Sequence, residues 1–287
     1  MDETWRPGPR VTGDDGVELA VWDLGGDGPP LVLLHGTGFH ARVWEPVAGP
    51  LRAAHHVWAL DQRGHGASGH AADGLYTDWD HLARDLHAVA DVLAPAGGLL
   101  GAGHSLGGAV LLRAEQLRPG TCAALYCYEP VVIPAAVGSD APPALSVLAR
   151  QRRAVFPSRR AARDNYAGKP PFAAMDGRVL DAYVAHGFVE RADGTVELAC
   201  PPAEEASFYE GALHSGIWER LDEVGVPVTV AAGGDDAPPA DLAAAIAERL
   251  PTGHLECYAD LDHFGPMTDP ERIGKAIAAA VAGDGRR

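Results

Sequence analysis

The chain has 287 residues, enough for one large domain with its own core or for a domain that carries an insertion. A formal net charge of −16, with 47% hydrophobic and 22% charged residues, argues against a nucleic-acid-binding surface. The four cysteines form no CxxC pair, so we expect reduced, mostly buried thiols. The sequence has neither an apolar run of membrane-spanning length nor a signal-peptide pattern at its start, which predicts a cytoplasmic protein with no membrane partner.

Short apolar strands alternate with amphipathic helices along the first 133 residues. In the helical stretch 77–93, the apolar residues step by three and four, which produces a single apolar stripe. The patterns in this part predict strands over 17–25, 29–36, 56–61, 97–103 and 122–129, and helices over 77–93 and 106–117.

The same alternation returns near the end of the chain. We predict strands over 226–233 and 254–262 and helices over 240–250 and 270–283. Strands that alternate with helices favour an α/β fold with a mostly parallel, doubly wound sheet that helices cover on both faces.

Between these two parts, residues 134–212 have a different pattern. Prolines cluster, large aromatic residues become frequent, and the periodicity is mainly helical, with a small hairpin predicted around Asp193-Gly194. So many large apolar residues disfavour a linker and predict an inserted, mainly helical lid. The expected organisation is a core formed by 1–133 and 213–287, with the lid at 134–212.

The segment Gly103-His104-Ser105-Leu106-Gly107 fits the pattern G-x-S-x-G between a predicted strand and a predicted helix. A serine in such a turn adopts a strained backbone conformation and presents its hydroxyl above the sheet edge. Side chains at the two glycine positions would clash with the neighbouring strand and helix. The pattern predicts Ser105 as a nucleophile.

A phosphate-binding turn is the alternative interpretation of this segment. The glycines resemble a dinucleotide-binding loop, and Glu129 ends the next strand, where a ribose-binding acid would lie. However, the spacing Gly101-x-Gly103-x-x-x-Gly107 is one residue too long for GxGxxG. We therefore expect no nicotinamide or other cofactor.

A nucleophilic serine needs a histidine base, and the base needs a carboxylate that orients it. In a parallel sheet these groups meet at the carboxyl ends of the strands. His263 follows the last predicted strand, whereas His254 begins it, so we predict His263 as the base. His104 adjoins the serine but should point away from it, as a packing or hydrogen-bonding residue.

The acid is open between three residues that follow strands. Asp236 is preferred because it lies further past the end of its strand than Asp235 does, and Glu129, at the end of the preceding strand, is the other alternative. A capping role at a helix start explains either aspartate equally simply.

These residues resemble the α/β-hydrolase superfamily, whose chain order of nucleophile, acid and base matches Ser105, Asp236 and His263. Two further segments are similar to loops of that superfamily, LLHGTGF at 33–39 and DQRGHGASG at 61–69. The resemblance implies that the backbone amides of Thr37 and Leu106 form an oxyanion hole. It also implies that the acid stands at Glu129 in some members.

The two loop segments also contain His35, Asp61, Arg63 and His65, to which we assign no chemistry. A buried Asp–Arg pair and glycine turns are sufficient to hold such loops in place.

The expected function is hydrolysis of a carboxylic ester or lactone of a small, largely apolar substrate, with Phe39 and Trp44 as candidate lining residues. A carbon–carbon bond hydrolase or cofactor-free lyase on the same triad is the first alternative, and a non-catalytic ligand-binding protein is the second. No HExxH occurs, and His81 and His87 lie six residues apart on a predicted helix, so we expect no metal site.

Overall fold

The computed structural model describes residues 5–135, 142–234 and 238–282, although not the side chains of 238–241. Eight strands form the main sheet. They are β1 (Arg6–Thr12), β2 (Glu18–Gly25), β3 (Pro30–Leu34), β4 (His56–Asp61), β5 (Leu99–His104), β6 (Cys122–Tyr128), β10 (Val228–Gly233) and β11 (Gly253–Tyr258).

Most neighbouring strands of this sheet run parallel. The strand order is β1-β2-β4-β3-β5-β6-β10-β11, and only the β1–β2 and β2–β4 pairs are antiparallel. The chain places β4 on one side of β3 and then β5 on its other side. This reversal creates a crevice outside the carboxyl ends of β3 and β5, where ligands bind in open α/β sheets.

Helices cover both faces of the sheet. The sequence predicted the bounds of β4 and α3 as the structure has them, but missed β1 and α1. None of the helices in the described residues has the length and hydropathy that crossing a bilayer requires. The helices are α1 (Glu45–Leu51), α2 (Asp80–Leu93), α3 (Leu106–Leu117), α4 (Ala144–Arg150), α5 (Arg159–Ala167), α6 (Gly177–His186), α7 (Pro202–Ala212), α8 (Pro238–Arg249), α9 (Gly265–Thr268) and α10 (Pro270–Val281).

The core consists of two apolar layers, one on each face of the sheet. Val32 and Leu34 of β3 pack in the layer that includes α2, α3 and α8, whereas Leu31 and Leu33 pack in the layer that includes α1 and α10. All four side chains are fully buried. Side chains of a strand alternate between faces, so a continuous apolar run is what a strand covered on both sides requires. The predicted α/β class with a mostly parallel, doubly wound sheet is confirmed.

Residues 142–212, which we call the cap segment, lie between β6 and β10. They contain helices α4 to α7 and a small sheet of three short strands, β7 (Val155–Phe156), β8 (Phe188–Glu190) and β9 (Val196–Leu198). The sheet order is β7-β9-β8, with both pairs antiparallel. Strands β8 and β9 form the hairpin expected around Gly194, whose φ of 82° suits glycine.

Candidate active site

Ser105 lies in the turn that joins β5 to α3. Its φ of 55° and ψ of −116° place it in a backbone region that costs free energy for any residue other than glycine. The surrounding chain holds it there, because its amide donates to the carbonyl of Tyr128 at 2.9 Å. The serine carbonyl in turn accepts from the amides of Ala109 and Val131, each at 3.2 Å.

The two flanking glycines are required by close backbone contacts. A Cβ atom at Gly103 would lie 2.5 Å from the carbonyl carbon of Gly107, and one at Gly107 would lie 2.2 Å from the carbonyl oxygen of Leu34. Real Cβ atoms essentially never approach so closely. The glycines let helix α3 start directly against β3 and β5, which produces the sharp turn at the serine.

His263 and Glu129 form a close pair at the same edge of the sheet. The Nδ1 atom of His263 lies 2.6 Å from Oε2 of Glu129, whose side chain is fully buried. The other carboxylate oxygen, Oε1, accepts a hydrogen bond from the amide of Gly233 at 2.7 Å. Glu129 is therefore the carboxylate that contacts His263 in the described residues. The predicted acid Asp236 and its neighbour Asp235 lie outside those residues.

This pairing determines which ring nitrogen of His263 is available. The carboxylate accepts from Nδ1–H, which leaves Nε2 as the nitrogen with a lone pair. The imidazole is 21% exposed, so it can reach a substrate while its orienting partner is buried. An acceptor of this kind, oriented by a buried carboxylate, is what a general base for a serine requires.

The backbone amides of Thr37 and Leu106 are available as hydrogen-bond donors. Leu106 is the first residue of α3, so its N–H is one of the donors that a helix leaves unpaired at its N-terminus. Within the part of the chain that the structure describes, no protein group accepts from either amide. A Cβ at Gly36 would lie 3.2 Å from Cβ of Ser105, so the loop that carries Thr37 packs directly on the serine.

His104 packs against His263. Its Nε2 lies 2.8 Å from the carbonyl oxygen of His263, and the two rings are 4.8 Å apart between centroids. Burial and, to a smaller extent, the nearby His263 keep the pKa of His104 well below its usual range. The sequence predicted a packing or hydrogen-bonding residue, and in the structure its hydrogen-bond partner is the backbone carbonyl of His263.

Two other buried histidines support the loop after β3. His35 donates from Nδ1 to the carbonyl of Gly36 at 2.8 Å, and burial lowers its pKa to about 3. His65 accepts at Nε2 from the amide of Gly38 at 3.0 Å, and burial also keeps its pKa well below the usual range. Both rings are therefore neutral at pH 7, which leaves each of them with one acceptor nitrogen.

Arg63, in the loop at 61–69, forms a buried pair with a different aspartate from the one in its own loop. Arg63 binds Asp85 of α2 through two nitrogens, at 2.6 and 2.7 Å, instead of pairing with Asp61. Asp61 accepts from the amides of Ala41 and Ala67, at 2.6 and 2.9 Å. The contacts of Arg63 and Asp61 hold loops in place.

Three phenylalanines, which we call the aromatic wall, lie close to His104 and His263. They are Phe39, Phe172 and Phe264. The ring of Phe39 is 6.0 Å from that of Phe172 and 6.1 Å from that of Phe264, and Phe264 is 5.1 Å from His263. Phe172 comes from the cap segment. The other predicted lining residue, Trp44, is only 1% exposed and packs in the apolar core with α1 and α10.

A polar cluster of the cap segment adjoins the loop that carries Thr37. Arg152 donates to the hydroxyl of Tyr183 at 2.7 Å, to that of Tyr166 at 3.1 Å, and to the carboxylate of Glu205. A Cβ at Gly38 would lie 2.8 Å from Oε1 of Glu205. A cavity of about 10 Å³, the size of one water, lies between this cluster and Phe39. No sequence pattern singled out Arg152 or Glu205, because their significance comes only from being brought together.

The side chains of Asp14, Asp15 and His81 offer ligand atoms within 4.8 Å of one another. His81 already pairs with Asp14 at 2.7 Å, and Arg84 binds the same carboxylate at 3.1 Å. Half-exposed ion pairs of this kind are common on surfaces.

Comparison with known proteins gives the following matches. The Alpha/beta hydrolase family matches residues 31–276. "Lipase LipV" of Mycobacterium tuberculosis is 35% identical over 124 residues, which cover 40% of this chain and 43% of the lipase. "(E)-2-((N-methylformamido)methylene)succinate hydrolase" of Acinetobacter baylyi is 35% identical over 96 residues, which cover 33% of this chain and 35% of that enzyme.

A solved structure agrees with the fold over nearly the whole chain. "E-2-(Acetamidomethylene)succinate Hydrolase" superposes with a TM-score of 0.82 at 23% identity and covers 96% of this chain and 99% of its own. At that identity the likeness shows the fold alone. The chain spans less than half the length of the curated relatives that it matches.

Proposed function

The chain belongs to the alpha/beta hydrolase family, and from this premise we propose that it is a serine hydrolase that cleaves a carboxylic ester or lactone of a small, largely apolar substrate. The observation that carries the proposal is the pairing of His263 with buried Glu129 at the sheet edge where Ser105 stands in its strained turn. Ser105 directly follows β5, the neighbour of the strand that Glu129 follows, so residues of the three types that acyl transfer needs lie at the same end of the sheet.

In the proposed mechanism, the hydroxyl of Ser105 attacks the substrate carbonyl carbon while Nε2 of His263 takes the serine proton. The amides of Thr37 and Leu106 donate hydrogen bonds to the oxygen as it gains negative charge. His263 then protonates the leaving alcohol, and an acyl-enzyme remains. Water, deprotonated by the same nitrogen, attacks the acyl-enzyme and releases the acid, which restores the serine.

We assign Glu129 as the orienting acid. Its carboxylate is fully buried, contacts Nδ1 of His263 and is itself fixed by the amide of Gly233, so it can hold the imidazole in one tautomer. A carboxylate at this position also stabilises the imidazolium that forms during proton transfer.

The aromatic wall supports an apolar substrate. The ring of Phe264 lies 5.1 Å from that of His263, and Phe172 reaches the wall from the cap segment. We infer that residues 134–212 act as a lid, so that the core supplies the chemistry and the lid sets the shape of the substrate side. A flat or branched acyl group would pack best against such rings.

Hydrolysis of a carbon–nitrogen bond is the second candidate. The relative from Acinetobacter baylyi is named for hydrolysis of an N-methylformamido substrate, and the same attack on a carbonyl serves an amide as well as an ester. The rates with a p-nitrophenyl ester and with the corresponding anilide would rank the two candidates. A vinylogous diketone as a third substrate would detect carbon–carbon cleavage.

Active-site labelling tests the proposal directly. An organophosphate should modify Ser105, found by mass spectrometry of the peptide that contains it, and S105A should lower turnover by at least about 10⁴-fold. S215A is the matched control, since Ser215 is buried and donates its hydroxyl proton to the carbonyl of Ala212. A folded wild-type protein that forms no adduct and turns over none of the three substrates would instead point to a ligand-binding protein.

A further inference from the structure

His104 is a buried histidine whose side chain has one hydrogen-bond partner among the described residues. The ring is 1% exposed, and its Nε2 lies 2.8 Å from the carbonyl oxygen of His263. A carbonyl oxygen only accepts, so Nε2 must carry the hydrogen, and a neutral ring then has its lone pair on Nδ1. Among the described residues, Nδ1 has no hydrogen-bond partner.

The same ring lies between the two loops that the proposed reaction needs. A Cβ at Gly36 would lie 2.9 Å from Nδ1 of His104, so one side of the ring packs on the backbone that leads to Thr37. The other side faces the ring of His263 at 4.8 Å. His104 is the last residue of β5, and the pairing of β5 with β6 extends to the match of His104 with Tyr128. The ring is therefore anchored on one of the two central strands of the sheet.

Several hydrogen bonds hold the loop around His263, and each of them holds a different group of the loop. Tyr128 donates its hydroxyl proton to the carbonyl of Asp262 at 2.8 Å, and Asp262 accepts from the amide of Phe264 at 2.8 Å. Glu129 holds the imidazole by its Nδ1. Within the described chain, the carbonyl of His263 accepts a side-chain hydrogen bond from His104.

We propose that His104 is a positioning residue for the general base, and that its Nε2–H bond to the carbonyl of His263 sets the reach of the imidazole toward Ser105. The proposal rests on the proposed function, since it assigns a second fixed point to the base of that mechanism. With Glu129 on the ring and His104 on the backbone of the same residue, the imidazole keeps few ways to rotate or withdraw. A neutral neighbour also allows His263 to accept a proton without repulsion from a like charge.

Two substitutions separate the hydrogen bond from the packing. H104Q keeps an N–H donor close to the position of Nε2, whereas H104F keeps a flat ring but removes the donor. We expect H104F to lower kcat about tenfold, the size of one lost hydrogen bond, with little change in KM. H104Q should recover most of that loss. Thermal unfolding of both variants provides the check that they fold.

Two further readouts distinguish positioning from general support of the fold. The proton on Nδ1 of His263, held by Glu129, should give a downfield NMR resonance that shifts or broadens in H104F and returns in H104Q. The rate of organophosphate labelling at Ser105 should fall in H104F in parallel with kcat, because both depend on proton removal from the serine.

The possible outcomes separate this proposal from the proposed function. Wild-type protein that is not labelled at Ser105 overturns the proposed function and this inference with it. Wild-type labelling together with a folded H104F variant of unchanged kcat, labelling rate and NMR resonance overturns the inference alone. Equal losses in H104F and H104Q would assign the effect to the shape of the ring and would also overturn it.

Discussion

Different interactions build the cap segment and the carboxyl end of the central strands β3, β5 and β6, which we call the sheet edge. At the sheet edge, parallel strand pairing aligns Leu34 with Gly103 and His104 with Tyr128, so the main chain itself fixes where the serine turn lies. In the cap segment the strands have only two or three residues, and the side chains of Arg152 and Glu205 pack against Gly38 of the core. Backbone pairing therefore sets the position of the turn that carries Ser105, whereas this part of the cap segment meets the core through side chains.

Glu129, the proposed orienting acid, offers the largest expected effect on the sheet-edge side of this comparison. E129Q should lower kcat by about 10³- to 10⁴-fold, because an amide cannot stabilise the imidazolium and favours the wrong tautomer of His263. D236N should stay within about twofold of the wild type, because Glu129 is the acid that the proposed mechanism assigns to His263. Steady-state kinetics on one activated ester is the measurement.

Circular dichroism and thermal unfolding of E129Q serve as the control, because Glu129 also accepts from the amide of Gly233. If D236N instead lost as much activity as E129Q, the carboxylate after β10 would share the role. A normal rate in folded E129Q would remove Glu129 from the mechanism.

Two arginine–carboxylate pairs, one in the core and one in the cap segment, allow the stability of the two regions to be compared. Arg63 and Asp85, each 3% exposed, bind in the core, whereas Arg152 and Glu205, 21% and 5% exposed, bind in the cap segment. R63M should lower the free energy of unfolding by about 3–5 kcal/mol, since it leaves a buried carboxylate unpaired. R152M should lower the free energy of unfolding less than R63M does. It should also raise KM, because the proposed lid loses the contacts that fix its shape beside the substrate.

Urea unfolding and steady-state kinetics of the two variants provide both measurements. E205Q, which keeps hydrogen-bonding atoms beside Arg152, is the matched variant for the cap pair and should cause a milder change in KM than R152M. A cap variant that lost as much stability as R63M, with KM unchanged, would contradict the distinction between the two regions.

The sequence was most informative where one local pattern has one structural meaning. The continuous apolar run of β3 predicts a strand buried on both faces, and the glycines at 103 and 107 predict a turn that excludes any Cβ. Both features depend on residues that are close in the chain. The predicted nucleophile turn therefore needed no knowledge of how the strands are ordered.

Features that depend on strand order or on distant contacts were out of reach. Glu129 and Asp236 both follow strands that end at the same edge, and no local pattern distinguishes which carboxylate faces His263. Trp44 was a candidate lining residue, and its place in the apolar core beside α1 and α10 is a distant contact that no local pattern shows. The partnership of Arg152 with Glu205 joins residues 53 positions apart.

The smallest of the expected effects is a loss of stability at low pH. It comes from the buried histidines at the carboxyl end of the sheet. The pKa of His35 is about 3 in the folded protein, against an ordinary value near 6.5 in the unfolded chain. Above pH 6.5 both states are neutral at this residue, so its contribution does not change with pH. Between about 6.5 and 3 only the unfolded chain binds the proton, so the free energy of unfolding falls by about 1.4 kcal/mol per pH unit for such a histidine.

Urea unfolding at about pH 7.5, 6.5 and 5.5 measures this slope. H35Q can still accept from the amide of Gln62, which His35 meets at 3.1 Å, but it cannot take up the proton. The variant should therefore lose about 1.4 kcal/mol per pH unit of the slope below pH 6.5, whatever its stability at neutral pH. Equal slopes in H35Q and the wild type would mean that His35 takes up its proton in the folded protein as readily as in the unfolded chain, and that the tight backbone packing of the sheet edge does not keep this ring neutral.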